Sequence, residues 1–191
     1  MISSEKNFIF IHVPKTAGSS ITHVIAKYCE TAVKFDKKGD AIRTDKHQSA
    51  FTYIEKHGRE WWNSFFSFAV VRNPWDRVVS NYFYLKDTKN PSIEKFSNVH
   101  DWVMNDLKCW PASNYICKKR KVLVSKVLRY ENLNQEFAET TKLLGLNVPP
   151  LERLNTSERG DYQKYYNTES RKKVAEIFVN DIKLFNYKFE N

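Results

Sequence analysis

The sequence predicts an α/β fold, a three-layer sandwich in which a central, mostly parallel sheet is flanked by helices. Two observations carry that expectation. Three short apolar runs, Phe8–Val13, Phe65–Val71 and Val122–Tyr130, are nearly continuous rather than alternating, the pattern of strands buried on both faces. The segments between them have helical spacing, and strands that alternate with helices form a parallel sheet covered on both sides.

Taken in order, the first strand, Phe8–Val13, runs through a Pro-Lys-Thr-Ala-Gly loop into a helical pattern over Ser19–Tyr28. Ala32–Phe35 is a weaker fourth strand. A helix over Ser49–Phe65 precedes the second strand, and one over Pro74–Leu85 follows it. Asn73 suits the N-cap and Pro74 the first helical position, which leaves Arg72 at the carboxyl end of the strand. A helix over Ile93–Leu107 precedes the third strand, which Ser125 and Lys126 interrupt. Helices over Gln135–Leu144 and Thr168–Phe185 complete the chain, the last with Val174, Ile177, Phe178 and Ile182 on one face. Polar segments Lys37–Gln48 and Asn147–Asn167 read as long functional loops. At 191 residues, 41% of them hydrophobic, the chain is expected to form a single domain over residues 1–191.

A net charge of +9 calls for an anionic partner, but does not choose among a nucleotide, a nucleic acid, an acidic polysaccharide and a membrane surface. The basic run Lys118–Lys121 reads as a solvated turn before a strand. With no 20-residue apolar run and no leader pattern, a cytoplasmic protein without a membrane span is expected. Cys29, Cys109 and Cys117 lack metal-ligand spacing and read as core or surface thiols. Trp61, Trp62, Trp75, Tyr82, Phe83 and Tyr84 recur at helical spacing and are expected in the core. Trp110 and Tyr115, in an irregular stretch, are candidates for stacking on adenine or on a sugar.

Two loops carry the chemistry. His12-Val13-Pro14-Lys15-Thr16-Ala17-Gly18-Ser19-Ser20 joins a strand to a helix, where unpaired N–H groups and the positive helix end converge on a point suited to phosphate or sulfate. Gly18 offers backbone freedom, Ser19 and Ser20 offer hydroxyls, and Lys15 a mobile charge. The Lys precedes the Gly, so this is not the Gly-Lys-Ser/Thr phosphate loop of nucleoside triphosphatases, although the placement is P-loop-like. Gly and Ser here also suit an ordinary helix cap. After the second strand, Arg72 and, two helical turns on, Ser80 suit a second phosphate. An arginine stands where triphosphatases commonly carry a magnesium-binding carboxylate, which argues for a nucleotide with an extra phosphate and metal-free chemistry. A structural pairing of Arg72 with Asp76 is the competing role.

The stretches FIHVPKTAGSSI and FAVVRNPWDRVVSNYFYL resemble the two signatures of carbohydrate-type sulfotransferases that bind 3′-phosphoadenosine 5′-phosphosulfate (PAPS), the group that includes heparan and chondroitin sulfate sulfotransferases. KHQSA, VLRYENL, LNTSERGDYQKYY and DIKLFNYKF extend the resemblance over most of the chain. It implies that Lys15, Thr16, Ala17, Gly18, Ser19 and Ser20 hold the 5′-phosphosulfate, with Lys15 as catalytic lysine. Arg72 and Ser80 match the pair that holds the 3′-phosphate. His47 is similar in position to the catalytic base of some members, and Ser157 and Arg159 to a late loop that closes on the nucleotide. The implied product is adenosine 3′,5′-bisphosphate (PAP), and the partner a hydroxyl-bearing acceptor, a carbohydrate or small metabolite, rather than nucleic acid. His12, His23, His57 and His100 compete with His47. A magnesium-dependent P-loop nucleotide kinase and a non-enzymatic basic protein that binds nucleic acid stand as the alternatives.

Overall fold

The computed structural model describes residues 1–29, 34–35, 41–42, 47–151 and 159–189, with residues 34, 35, 41 and 42 described by backbone alone. In chain order the strands and helices are β1 (Ile2–Ser3), β2 (Phe8–Ile11), α1 (Gly18–Ile25), β3 (Lys34–Phe35), β4 (Ala41–Ile42), α2 (Ala50–His57), α3 (Arg59–Asn63) and β5 (Phe66–Val71). There follow α4 (Pro74–Asp87), α5 (Pro91–Glu94), α6 (Val99–Asp106), α7 (Ser113–Ile116), β6 (Cys117–Lys118), β7 (Lys121–Val122), β8 (Lys126–Arg129), α8 (Leu133–Leu143), α9 (Thr168–Ile177) and α10 (Val179–Phe185). Short 3₁₀ turns extend α1, precede α8 and lie at Tyr162–Tyr165. The chain divides into two compact units, Met1–Val71 with Asn114–Leu154, and Arg72–Ser113 with Asn155–Asn191.

The first unit contains the expected sheet, ordered β1-β2-β5-β8. β2 pairs β5 and β5 pairs β8 in parallel, while β1 adds an antiparallel edge too short for its sequence to announce. Side chains alternate across the sheet, so Phe8, Phe10, Phe68, Val70 and Leu128 share one face. They pack with Ile21, Val24 and Ile25 of α1 and with Leu133 and Phe137 of α8. Ile9, Ile11 and Ala69, on the opposite face, are equally buried, which is why the runs are continuously apolar.

The third predicted strand is two pieces, β7 and β8, and its break has a physical cause. Ser67 and Ser125 exchange backbone-to-hydroxyl bonds of 3.1 and 3.0 Å, so the chain at Ser125 bonds a side chain instead of continuing the ladder. The helix expected over Ser49–Phe65 is likewise split, at Gly58, whose φ of 91° no helix accommodates. The helix expected over Ile93–Leu107 is replaced by α5 and α6, each begun by an asparagine cap, Asn90 and Asn98. Thr168–Phe185 is divided at Phe178, and the weak strand Ala32–Phe35 is described only at β3.

The second unit is helical and built around α4. Trp75, Val78, Val79 and Tyr82 of α4 pack with Val99, Trp102 and Val103 of α6 and with Val174 and Phe178 near α9. Asn73 caps α4 as expected, accepting from the Trp75 N–H at 3.1 Å, and its amide also donates to the Lys188 carbonyl at 2.8 Å. Tyr84 departs from the expected core and is exposed. Tyr115 lies in α7 rather than in an irregular stretch. Among the described residues no helix is long and apolar enough to cross a membrane.

Candidate active site

β2 and β5 are neighbours and parallel, with Ile11 opposite Ala69, so the segments that follow them leave the same end of the sheet. This is the end at which open α/β sheets gather ligands. The segment after β2 belongs to the first unit, and Arg72, the residue after β5, opens the second.

In the first unit the turn from Pro14 to Gly18 has two residues in the left-handed region, Lys15 at φ 64° and Ala17 at φ 62°. Each costs about 1–2 kcal/mol for a residue with a Cβ, and such conformations gather where a turn must aim its N–H groups inward on an anion. Ala17 occupies the N-cap of α1 and has no side chain with which to cap it. The ordinary-cap role that Gly and Ser suggested is therefore not what the chain adopts. Thr16 is fully buried and its hydroxyl donates to the Val13 carbonyl at 2.9 Å, which ties the turn to itself. Ser20 is buried, Ser19 is exposed and Lys15 half-buried.

Gly18 is required for a reason other than the flexibility expected of it. Its φ lies outside the left-handed region, and a Cβ at this position would collide with the imidazole of His12. His12 is buried and meets His47 edge to face, with ring centroids 4.8 Å apart. His47 Nδ1 lies 3.0 Å from the His12 carbonyl oxygen. A carbonyl only accepts, so Nδ1 carries the hydrogen, and in the neutral ring Nε2 carries the lone pair. The structure thus brings His47, exposed on its outer side, to the residue that packs on Gly18. Of the competing histidines, His23 and His57 are exposed helical residues and His100 is partly buried on α6.

In the second unit Arg72 is buried and its Nε donates to Asp76 Oδ2 at 2.7 Å. The other carboxylate oxygen of Asp76 accepts from Arg159 Nη2. Two arginines picked out in the sequence, 87 positions apart, therefore share one carboxylate in the first turn of α4. Pairing of Arg72 with Asp76 is real, and it is half of a bridge rather than a closed pair. Sequence spacing of i, i+4 exposes the first half; nothing local exposes the second. Ser80, one turn beyond Asp76, is half-buried on α4. Tyr166 donates to the Trp75 carbonyl at 2.8 Å; burial, and after it the nearby Cys109 and Asp76, push its phenol well above the ordinary range, so it remains a donor. Ser157 lies outside the described residues.

The model of the sulfotransferase family matches residues 1–188. An uncharacterized protein of Archaeoglobus fulgidus is 31% identical over 110 residues, which are 56% of this chain and 90% of that one. Among solved structures, the mouse sulfotransferase SULT7A1 complexed with PAP is similar with a TM-score of 0.54 and 15% identity, over 97% of this chain and 90% of that one. At that identity the likeness is one of fold.

Proposed function

The chain belongs to the sulfotransferase family, and from that membership we propose that it transfers a sulfuryl group from PAPS to a hydroxyl of a carbohydrate or small metabolite, leaving PAP. The family match runs across both compact units, which supports reading the whole chain as one sulfotransferase domain. The observation that carries the assignment of residues is the turn of Lys15, Thr16, Ala17 and Gly18, held in two left-handed conformations at the uncapped start of a helix. Strain of that kind persists only where the surrounding structure holds it, and here it makes an anion cradle.

The groups present fit PAPS. The cradle, with Ser19, Ser20 and the Lys15 ammonium, would take the 5′-phosphosulfate, and Arg72 and Ser80 the 3′-phosphate. Arg159, joined to Arg72 through Asp76, would close beside it, with Ser157 on the same late segment. PAPS supplies the sulfuryl group and a phosphate leaving group. Lys15 places a positive charge and a hydrogen-bond donor where negative charge develops on the bridging oxygen. His47 takes the acceptor's proton at Nε2, while its Nδ1–H bond to the His12 carbonyl holds the ring in that tautomer. Cationic side chains thus meet the charge that a metal meets in triphosphatases.

Calorimetric titration with PAP and single-turnover assays with labelled donor test these roles together. Lys15→Ala should lose roughly 10²- to 10³-fold in rate while still binding PAP. His47→Ala should lose a similar factor and, with it, the fall in rate toward acid pH that protonation of the base causes. Arg72→Ala should weaken PAP binding itself, and unchanged affinity in that variant removes Arg72 from the nucleotide site.

A further inference from the structure

The Asp76 carboxylate is carried on a well-anchored turn of the second unit. Its neighbour Trp75 is buried, donates from the indole to the Arg171 carbonyl at 3.0 Å, and through its own carbonyl accepts from the Tyr166 hydroxyl at 2.8 Å. Asn73 caps the helix start, and Pro74 stiffens its first position. A carboxylate in the first turn of a helix is ordinary, since the helix N-terminus favours negative charge. Two arginines on that one carboxylate are not explained in this way.

Oδ2 accepts from Arg72 Nε at 2.7 Å and Oδ1 from Arg159 Nη2, and the side chains are 19% exposed for Asp76 but only 7% and 11% for the two arginines. One negative charge thus stands between two largely buried positive ones. Ion pairs buried to this degree contribute little net stability, because desolvation offsets the attraction, so what the bridge supplies is direction. Asp76 bonds Arg72 on its Nε side, which turns the Nη1–Nη2 edge of that guanidinium away from the carboxylate, and such an edge grips a phosphate with two parallel N–H groups. Two opposed effects on an arriving phosphate follow: the Asp76 charge repels it, while the Asp76 bonds hold both guanidiniums in place for it. Holding them prevails where the donors are long and largely buried, because the phosphate would otherwise have to order two flexible side chains as it binds.

We propose that Asp76 is a positioning residue that makes Arg72 and Arg159 a single receptor for the 3′-phosphate, and so sets the preference for a nucleotide that carries this phosphate over one that lacks it. The proposal rests on the reading of Arg72 as a nucleotide contact and adds to it a residue that touches no nucleotide.

Calorimetry on the full chain with two probes, PAP and adenosine 5′-phosphate, tests this. Asp76→Asn should weaken PAP binding about tenfold and leave adenosine 5′-phosphate within about twofold of wild type, so that the ratio of the two affinities falls. A carboxylate that only repels phosphate predicts the opposite sign, and tighter or unchanged PAP binding in this variant overturns the proposal. Equal weakening of both nucleotides overturns it as well, because the loss is then not one of 3′-phosphate recognition. A second measurement leaves Asp76 in place. Arg72→Ala and Arg159→Ala should each weaken PAP about tenfold, but together only about thirtyfold rather than about a hundredfold, since the arginine left behind turns its bonds to the carboxylate and has little contact with phosphate left to lose. Losses that multiply in full overturn the proposal even where Asp76→Asn fails to fold. A wild type without affinity for PAP, or an Arg72→Ala variant with unchanged affinity, removes the nucleotide reading first and the proposal with it. PAP binding that weakens in Arg72→Ala but not in Asp76→Asn overturns the positioning role alone.

Discussion

Gly18 shows how a single position can be singled out in a sequence for one reason and required in the structure for another. Its place in the Lys-Thr-Ala-Gly-Ser-Ser string suggests a need for positive φ, yet Lys15 and Ala17 take those conformations and Gly18 makes room for the His12 ring. Neither lysine nor alanine favours the left-handed region, so the strain could not be read from residue type. The ring contact could not be read either, because it depends on how β2 meets α1. Gly18→Ala should therefore destabilise the chain by about 1–3 kcal/mol, the usual cost of overpacking a filled site. Because the displaced ring is the one His47 leans on, transfer rate should fall by more than the change in folded fraction explains. Urea unfolding set beside turnover measured well below the transition separates the two effects, and a Gly18→Ala variant as stable and as active as wild type removes His12 from the support of the site.

At the scale of elements, the strand–loop–helix units that begin with β2 and β5 were legible because their apolar runs and caps are local. Phe8–Ile11, Phe66–Val71 and Asn73-Pro74 lie where pattern and capping chemistry put them. The longer helical patterns were broken by events that periodicity does not see, a glycine at φ 91° in one case and two asparagine caps in another. The basic run after α7 was legible as a turn but not as a hairpin. Its two strands, β6 and β7, are joined through Lys119 at φ 48° and Arg120 at φ 64°. Two-residue hairpin turns with positive φ at both central positions favour Asn-Gly, and a Lys-Arg pair bears the steric cost instead. The double change Lys119→Asn with Arg120→Gly should stabilise the protein by about 1 kcal/mol, read as a higher urea midpoint at unchanged slope. A lower midpoint would mean that contacts of the two cations outweigh the backbone strain.

For the whole molecule, charge was the most accessible property and the least specific, since +9 fits several anionic partners. The structure adds where particular cations sit. Lys15 stands in the turn after β2, and Arg72 and Arg159 converge on Asp76, the latter from 83 positions away, which no sequence pattern announces. The ligand these cations select under the proposed function, PAP, carries two phosphate groups, so its binding has two electrostatic parts. One is the long-range attraction of the net positive chain, which salt screens; the other is short-range contact, which salt screens much less. Raising ionic strength from about 0.01 M to about 1 M shrinks the screening length from about 30 Å to about 3 Å. PAP affinity should fall about tenfold or more across that range, mostly through the association rate, because the steering field is what is lost. Arg72→Ala should bind more weakly at every salt concentration yet keep most of the slope, since it removes one local contact from a field set by many charges. Stopped-flow association at several salt concentrations measures both quantities. A rate indifferent to salt would show that the excess positive charge of this chain serves something other than capture of the nucleotide.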